Sequence, residues 1–428
     1  MKVLLVGEGG REHALGWKIA ASPEVAQVVC APGNAGLELE PKVICEPVAS
    51  ANVSGLVDLA RRIKPDLVVV GPETPLVLGL ADRLSALGFP TVGPTREGAM
   101  LEGSKGFAKE IMQRLGIPSA SFAVFSDLGQ ALRYLQGLHG PCVVKADGLA
   151  AGKGVVICQT REEATRAVEQ MLGERAFGEA GSRVVIEEFL EGEEASCIAL
   201  TDGQEILMLA SSQDHKRVFD GDEGPNTGGM GAYSPAPIMT PALEAQVMEQ
   251  VFRPLVRGLA SQGILFRGIL YAGLMIGPAG PKVLEWNVRM GDPETQPLLL
   301  RLQSDLVPSL LAVANGRLSS TPLRWDPRPS VCVVMASGGY PGAYQKGKPI
   351  DGLLAAAALP DVKVFHGGTR REGERVVTSG GRVLGVCALG QDIRAAVQGA
   401  YAAVDQIRFA GAHVRRDIAH RALQRQGG

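Results

Sequence analysis

The chain lacks a dominant charge. Its 43 basic and 45 acidic side chains leave a formal net charge of -2, which excludes bulk attraction to nucleic acid or to a membrane surface. No uninterrupted apolar run is long enough to span a bilayer. No signal peptide is expected, because Met1-Lys2 leads straight into a strand. The seven cysteines, at 30, 45, 142, 158, 197, 332 and 387, never form CxxC. A reduced, cytoplasmic chain is the simplest account. Internal repeats and low-complexity segments are absent too.

What is present is a well-packed composition. The 428 residues are 46% hydrophobic and 21% charged, which suits about two to four globular domains. The 55 glycines point to many tight turns and close backbone approaches to ligands.

Lys2 to Val6 reads as a buried parallel strand. It runs into GEGGREHALGWKIA (7–20), a Gly-rich turn opening a helix and hence an anion site. A dinucleotide turn needs an acid at the end of the second strand. Here Gln27 to Cys30 ends in APGNAG (31–36), so a phosphate or sugar-phosphate is preferred, with a purely structural turn as the alternative. Asp66 to Val70 is a further strand, closing in GPETPL (71–76). Glu73 there suits substrate hydroxyls or a helix cap. Thr91 to Gly93 gives a last short strand.

LEGSKGFAKEIMQRLGIPSA (101–120) reads as one helix carrying Lys105 and Lys109, stopped by Gly116-Ile117-Pro118. PCVVKADGLAAGKGVVI (141–157) is two apolar runs joined by a Gly-rich loop. It is not a Walker A loop, because the spacing is short and a strand follows. A hairpin loop bearing Gly152, Lys153 and Gly154 suits nucleotide phosphates, the alternative being a surface hairpin. Lys145, inside the first strand, is costly to bury unpaired and is expected to meet the nucleotide. VVIEEFLEGEEASCIAL (184–200) is two strands around an acidic bend, with Glu187, Glu188 and Leu190 placed to read an adenine edge and Glu194 a ribose. Taken alone, the segment reads as a charged turn. QDHKRVFDGDEGPNTGGMGAYSP (213–235) reads as a long loop, with Asp214 and Lys216 closing on substrate.

In KVLEWNVRMGDPETQ (282–296), strand alternation puts Glu285, Asn287 and Arg289 on one face and Leu284, Trp286 and Val288 on the other. Two hard oxygen ligands suit Mg2+ shared with nucleotide phosphates. Arg289 could hold a phosphoryl group or carboxylate. Asp292-Pro293-Glu294 reads as a helix start, with Asp292 as N-cap. A solvated strand face followed by a capped helix is the alternative. Residues 296–316 read as helical, 317–330 as a Pro-rich linker, and the rest as four strands and a helix with few catalytic groups.

In order along the chain, GEGGREHAL, APGNAG, GPETPLVLG, LEGSKGFAKEIM, VVKADGLAAGKGVVI, EEFLEGEEAS, QDHKRVFDGDEGPNTGGMGAYSP, LEWNVRMGDPETQ and RRDIAHRAL closely resemble the glycinamide ribonucleotide synthetase (phosphoribosylamine–glycine ligase) family. The resemblance implies a multidomain α/β and α+β fold: an open α/β domain over 1–103, an ATP-grasp domain over 104–325 with a hairpin-bearing subdomain at about 121–190, and a small C-terminal domain over 326–428. It implies ATP held by Lys105, Lys145, Gly152, Lys153, Gly154, Glu187, Glu188, Leu190 and Glu194. Mg2+ or Mn2+ would sit on Glu285 and Asn287. Phosphoribosylamine would meet Gly10, Arg11, Asn34 and Glu73, and glycine would be the second substrate. Arg289, Asp214, Lys216 and Asp292 would carry catalysis through glycyl phosphate. The resemblance also implies a monomer, in transient contact with the enzyme that makes phosphoribosylamine. Two departures stand out: Trp286 where Phe is usual, facing away from the metal, and Ala419 for a usual Gly in the last helix. Rival readings are another ATP-grasp enzyme, which would lack the 213–235 motif, a catalytically dead nucleotide sensor, and a dehydrogenase.

Overall fold

The computed structural model describes residues 1–150, 154–174, 176, 178–319 and 323–426. The N-terminal unit is a parallel sheet of β1 (Lys2–Gly7), β2 (Gln27–Pro32), β3 (Val43–Cys45), β4 (Leu67–Val70) and β5 (Thr91–Val92), in the order β3-β2-β1-β4-β5. Its central strands are apolar and buried along nearly their whole length, because both faces are covered. The strand order reverses beside β1, and ligand loops gather at such a switch point. The β1 turn leads into α1 (Gly10–Ala20). The helices α2 (Val53–Ile63), α3 (Glu73–Val77), α4 (Leu80–Ala86) and α5 (Arg96–Gly103) follow, with α3 starting just after the β4 turn.

The single helix expected over 101–120 is two helices. Ser104 leaves helical geometry (φ -143, ψ 114) and starts α6 (Lys105–Leu115). Its hydroxyl accepts from Phe107 N at 3.1 Å and donates to Asp147 at 3.0 Å. These side-chain bonds compete with helix continuation, and they place Lys105 at the first position of α6.

A small antiparallel sheet follows, made of β6 (Phe122–Phe125), β7 (Cys142–Ala146), β8 (Val155–Cys158) and β9 (Val184–Glu188), in the order β6-β9-β7-β8. With α7 (Leu128–Gln136) and α8 (Arg161–Val168) it has a core of its own. The larger central sheet contains β10 (Glu193–Thr201) and β11 (Ile206–Met208).

The long loop expected over 213–235 contains four short strands: β12 (Gln213–Asp214), β13 (Arg217–Phe219), β14 (Glu223–Asn226) and β15 (Gly231–Ser234). Runs of two to four residues rich in glycine carry no readable period. The central sheet is completed by β16 (Gly268–Gly277) and β17 (Gly280–Asn287), in the order β11-β10-β16-β17. Next come β18 (Ser330–Ser337), β19 (Val362–His366), β20 (Thr369–Glu372), β21 (Arg375–Thr378), β22 (Arg382–Leu389) and β23 (Ala412–His413). The C-terminal sheet runs β12-β15-β18-β22-β19, so two strands from before the linker belong to it.

Three local expectations also change. A register shift in the β16–β17 pair lies beside Leu274, which pairs with Val283. Val283, Trp286 and Val288 therefore join the core, while Leu284 lines the site cavity. Asp292 does not cap a helix: the next helix is Thr295–Arg301. The Asp292 carboxylate instead accepts from Gln296 Nε2 at 2.7 Å and Arg382 Nη2 at 3.0 Å. Ala419 precedes the last helix, His420–Gln426, and sits buried at φ 69. A left-handed backbone favours glycine, which accounts for the usual residue there.

The N-terminal sheet is packed on two sides. One core runs from Leu4 and Val70 through Ile111 to Phe252 and Trp286. Another joins Leu5 and Val69 to Leu298, Leu310, Cys332 and Phe365.

Candidate active site

All three units meet at a cavity of about 760 Å3. One end of it is built on β7, β9 and α6. Lys145 Nζ lies 3.0 Å from Glu187 Oε2 and donates to Leu284 O at 3.1 Å. Lys109, absent from the sequence-based site, reaches the same carboxylate oxygen at 3.2 Å. Burial lowers the Lys109 ammonium to about 8. Lys145 is thus not left unpaired: two buried cations share one anion, leaving net positive charge. Glu187 Oε1 is buried without a hydrogen-bond partner, a vacant acceptor on the cavity lining. Lys105 Nζ donates to Gly148 O at 3.0 Å. The Glu188 side chain turns outward to Ser121 and Lys282, leaving the main chain through Leu190 on the cavity. Gly154 lines the cavity too; Gly152 and Lys153 lie outside the described residues.

Glu285 and Asn287 stand two apart on β17 at the cavity's middle. Lys216 lies 2.6 Å from Glu194 and 3.8 Å from Glu285. Burial opposes the Lys216 charge, yet Glu194, Asp214 and Glu285 hold it well above the ordinary ammonium range. Burial likewise opposes the Glu285 charge, and Lys216, Lys145 and Lys105 keep its carboxyl below the usual range. A divalent cation fits this donor set. Glu285 offers an ionised carboxylate and Asn287 an amide oxygen, and no group of three or more His, Cys, Asp or Glu placed to hold a metal ion occurs among the described residues. The remaining ligands would be water and phosphate oxygens, as Mg2+ prefers.

Arg289 is aimed by its neighbours. Its Nη2 donates to Glu102 Oε1 at 2.7 Å and to Asn287 Oδ1 at 3.0 Å, and its Nε lies 3.4 Å from Glu73. Glu102 also accepts from Val288 N at 2.8 Å, fixing the strand end. Also on the lining, Tyr271 donates to Glu294 at 2.5 Å. Asp214 lines the cavity near them, its carboxyl pushed up to about 7 by burial and by Glu294, Glu194 and Glu285 against the pull of Lys216.

The N-terminal end differs from expectation. The α1 start is closed from within: Glu12 accepts from Gly9 N at 2.6 Å and from Arg11 Nε at 2.5 Å. A Cβ on Gly7 or Gly71 would meet the Glu12 side chain at 2.4 or 2.1 Å, so both glycines make room for it. A phosphate at this turn would face a carboxylate, and the anion-site expectation fails there. Asn34 is spent on structure. It donates to Glu8 O and His366 O, both at 2.8 Å, and accepts from Gly36 and Leu37 N. Gly10 and Asn34 do not line the cavity, whereas Arg11 and Glu73 do. Arg382, from the C-terminal unit, also lines it and bonds Asp292. Sequence reasoning missed Glu102, Lys109, Tyr271, Glu294 and Arg382. Glu102, Lys109 and Glu294 sat inside quoted motifs; Arg382 opens an ordinary strand and gave no signal.

The fold and the matches to known proteins together define the class: an ATP-grasp carbon–nitrogen ligase, of a family that uses ATP and a divalent cation. Phosphoribosylglycinamide synthetase profiles match in sequence order, the N domain over residues 1–102, the ATP-grasp (A) domain over 103–295 and the C domain over 330–421. The chain belongs to the phosphoribosylglycinamide synthetase family. It is 56% identical over 427 residues to a phosphoribosylamine–glycine ligase of Allochromatium vinosum, covering 100% of both chains. It is 53% identical to one of Vibrio vulnificus, covering 100% of this chain and 99% of that one. The crystal structure of the phosphoribosylamine–glycine ligase of Thermotoga maritima superposes with a TM-score of 0.85 at 34% identity, covering 98% of this chain and 100% of that one. The biotin carboxylase domain of a Hydrogenobacter thermophilus carboxylase, at TM-score 0.74 and 18% identity over 96% of this chain and 91% of that one, shares the fold.

Proposed function

We propose that the enzyme joins glycine to 5-phosphoribosylamine at the expense of ATP, giving glycinamide ribonucleotide, ADP and phosphate through glycyl phosphate. The observation that carries this reading is the single cavity in which Glu285, Asn287 and Arg289 face Arg11 and Glu73 of the N-terminal unit. Activation and amine attack can share one space.

In this reading, Lys105 and Lys145 hold the ATP phosphates and the free Glu187 Oε1 accepts from adenine. Glu194 takes the ribose. Glu285 and Asn287 would hold Mg2+ or Mn2+, which supplies charge neutralisation at the transferring phosphoryl group. Arg289, aimed by Glu102, stabilises the equatorial oxygens while glycine's carboxylate attacks in line. Asp214 faces glycine's ammonium group. Arg11 and Glu73 hold phosphoribosylamine, and Asp292, fixed by Arg382, supports their wall. The amine then attacks the acyl carbon and phosphate leaves. Positioning and fixed charge supply the rate, with no covalent enzyme intermediate. The family resemblance supports a cytoplasmic monomer that takes the unstable amine during transient contact with the enzyme making it.

Glycine labelled with heavy oxygen in its carboxylate tests the route. One labelled atom should appear in inorganic phosphate per turnover. Unlabelled phosphate from an active enzyme overturns the glycyl-phosphate step.

A further inference from the structure

Six of the seven cysteines, which never form CxxC in sequence, lie in pairs in space. Cys30 faces Cys45 across β2 and β3, Cys142 faces Cys158 across β7 and β8, and Cys332 faces Cys387 across β18 and β22. Antiparallel neighbours have Cα atoms about 4.5–5.5 Å apart, inside the span of about 4.4–6.8 Å that a disulfide bridges.

The pairs differ in access and chemistry. Cys332 and Cys387 are fully buried, and burial pushes the Cys387 thiol well up. Cys45 is half-buried, but burial raises its thiol to about 11, so thiolate is scarce. Cys142 borders a second cavity of about 390 Å3, lined also by His139, Thr160, Arg161 and Glu162. A hydrogen bond from Cys158 lowers the Cys142 thiol, and Cys158 is correspondingly raised. Cys142 is itself buried, at 3% exposure, but borders that cavity, with the fully buried Cys158 behind it; the cavity gives Cys142 the approach, and Cys158 is the resolving thiol.

We propose that Cys142 and Cys158 are a thiol–disulfide modification site, oxidised in the folded enzyme by glutathione-type disulfides entering from the cavity at His139 and Arg161. The Cys142 thiolate attacks one sulfur of the small disulfide, forming a mixed disulfide and releasing one small thiolate. Cys158 loses its proton and attacks the Cys142 sulfur, expelling the second small thiolate. Two protein thiols are oxidised and one small disulfide is reduced to two thiols. The bond ties Cys142, at the start of β7, to Cys158, at the end of β8. Lys145, near the far end of β7, and Gly154, just before β8, both line the larger cavity, so the cross-link changes how this strand pair meets ATP.

The test uses the full-length native enzyme and oxidised glutathione. After alkylation and non-reducing digestion, mass spectrometry should show the Cys142 and Cys158 peptides linked, before any link at the other two pairs. Dithiothreitol should reverse it. The KM for ATP should shift at least about two-fold on oxidation and stay fixed in Cys158→Ala treated alike. A stable glutathione adduct on Cys142 with no internal link, or a faster link at Cys332 and Cys387, overturns the assignment. A complete link with the KM for ATP unmoved overturns the coupling to the nucleotide. Peptide mapping needs no turnover, so its outcome is independent of the proposed reaction.

Discussion

Ala419 holds a left-handed backbone that costs an L-residue about 1–2 kcal/mol, partly offset by the extra unfolded-state freedom of glycine. Ala419→Gly should therefore stabilise the fold by about 0.5–1 kcal/mol, read as a rise in Tm. An unchanged or lower Tm would mean that the neighbouring packing needs the methyl. Glu285 lies at the other extreme, half-open on an intact strand. Glu285→Ala should leave the fold in place and cut kcat by roughly 100-fold or more, on the scale of losing a principal charge stabiliser. Steady-state kinetics beside a normal circular dichroism spectrum checks it, and near-normal turnover would take Glu285 out of the chemistry. At this scale much was legible. Period-two alternation found Glu285, Asn287 and Arg289. It did not find Leu284 on the same cavity, because a register shift breaks the alternation and leaves no mark in composition.

Elements show a similar division. The apolar runs of β1 and β4 declared themselves, whereas α5 and α6 read as one helix because the break is a serine whose decisive partner, Asp147, lies far along the chain. The Gly-rich α1 start was recognised, yet its role was misread because Glu12 folds back onto it. What remains of that element for substrate is Arg11. Arg11→Ala should raise the KM for phosphoribosylamine about ten-fold or more, as expected for a lost charge-assisted contact, with the KM for ATP unchanged. The opposite pattern would move Arg11 to the nucleotide.

The start of the last helix adds a pH dependence. His215 Nε2 accepts from Ala419 N at 2.9 Å, so Nδ1 carries the proton of a neutral ring, with Asp222 3.9 Å away. Burial lowers the His215 imidazole from 6.5 to about 4. Between these values the unfolded chain binds more protons than the folded one, so stability rises with pH. The contribution is fully present above 6.5, is lost as pH falls toward 4, and amounts to about 3 kcal/mol. Asp222, held below the carboxylate range by His215 and Arg415, adds the same sign below 3.8. Denaturant unfolding at several pH values should show His215→Gln with a flatter profile between pH 4 and 6.5 than the parent. Parallel profiles would contradict it.

In the whole molecule, the order of the three units was readable, since each begins with a distinct run of motifs. Their interweaving was not. The segment bearing Asp214 and Lys216 supplies β12 and β15, and β15 pairs with β18 through Gly231↔Val333, Ala232↔Cys332, Tyr233↔Val331 and Ser234↔Ser330. Such a protein resists being taken apart. A fragment ending at residue 325 keeps Asp214 and Lys216 but loses β18, the partner of β15. It bares the edge of β15 and the buried Tyr233 ring, and a naked apolar edge invites pairing between molecules. That fragment should emerge insoluble or aggregated, and supplying residues 326–428 as a separate chain during expression should restore a soluble two-piece complex. A soluble, monomeric fragment would show that the seam is dispensable. Gene fusions and domain exchanges within this family should therefore cross over inside β-strand pairings with care, and preferably not at the Pro-rich connection that looks in sequence like the natural place to cut.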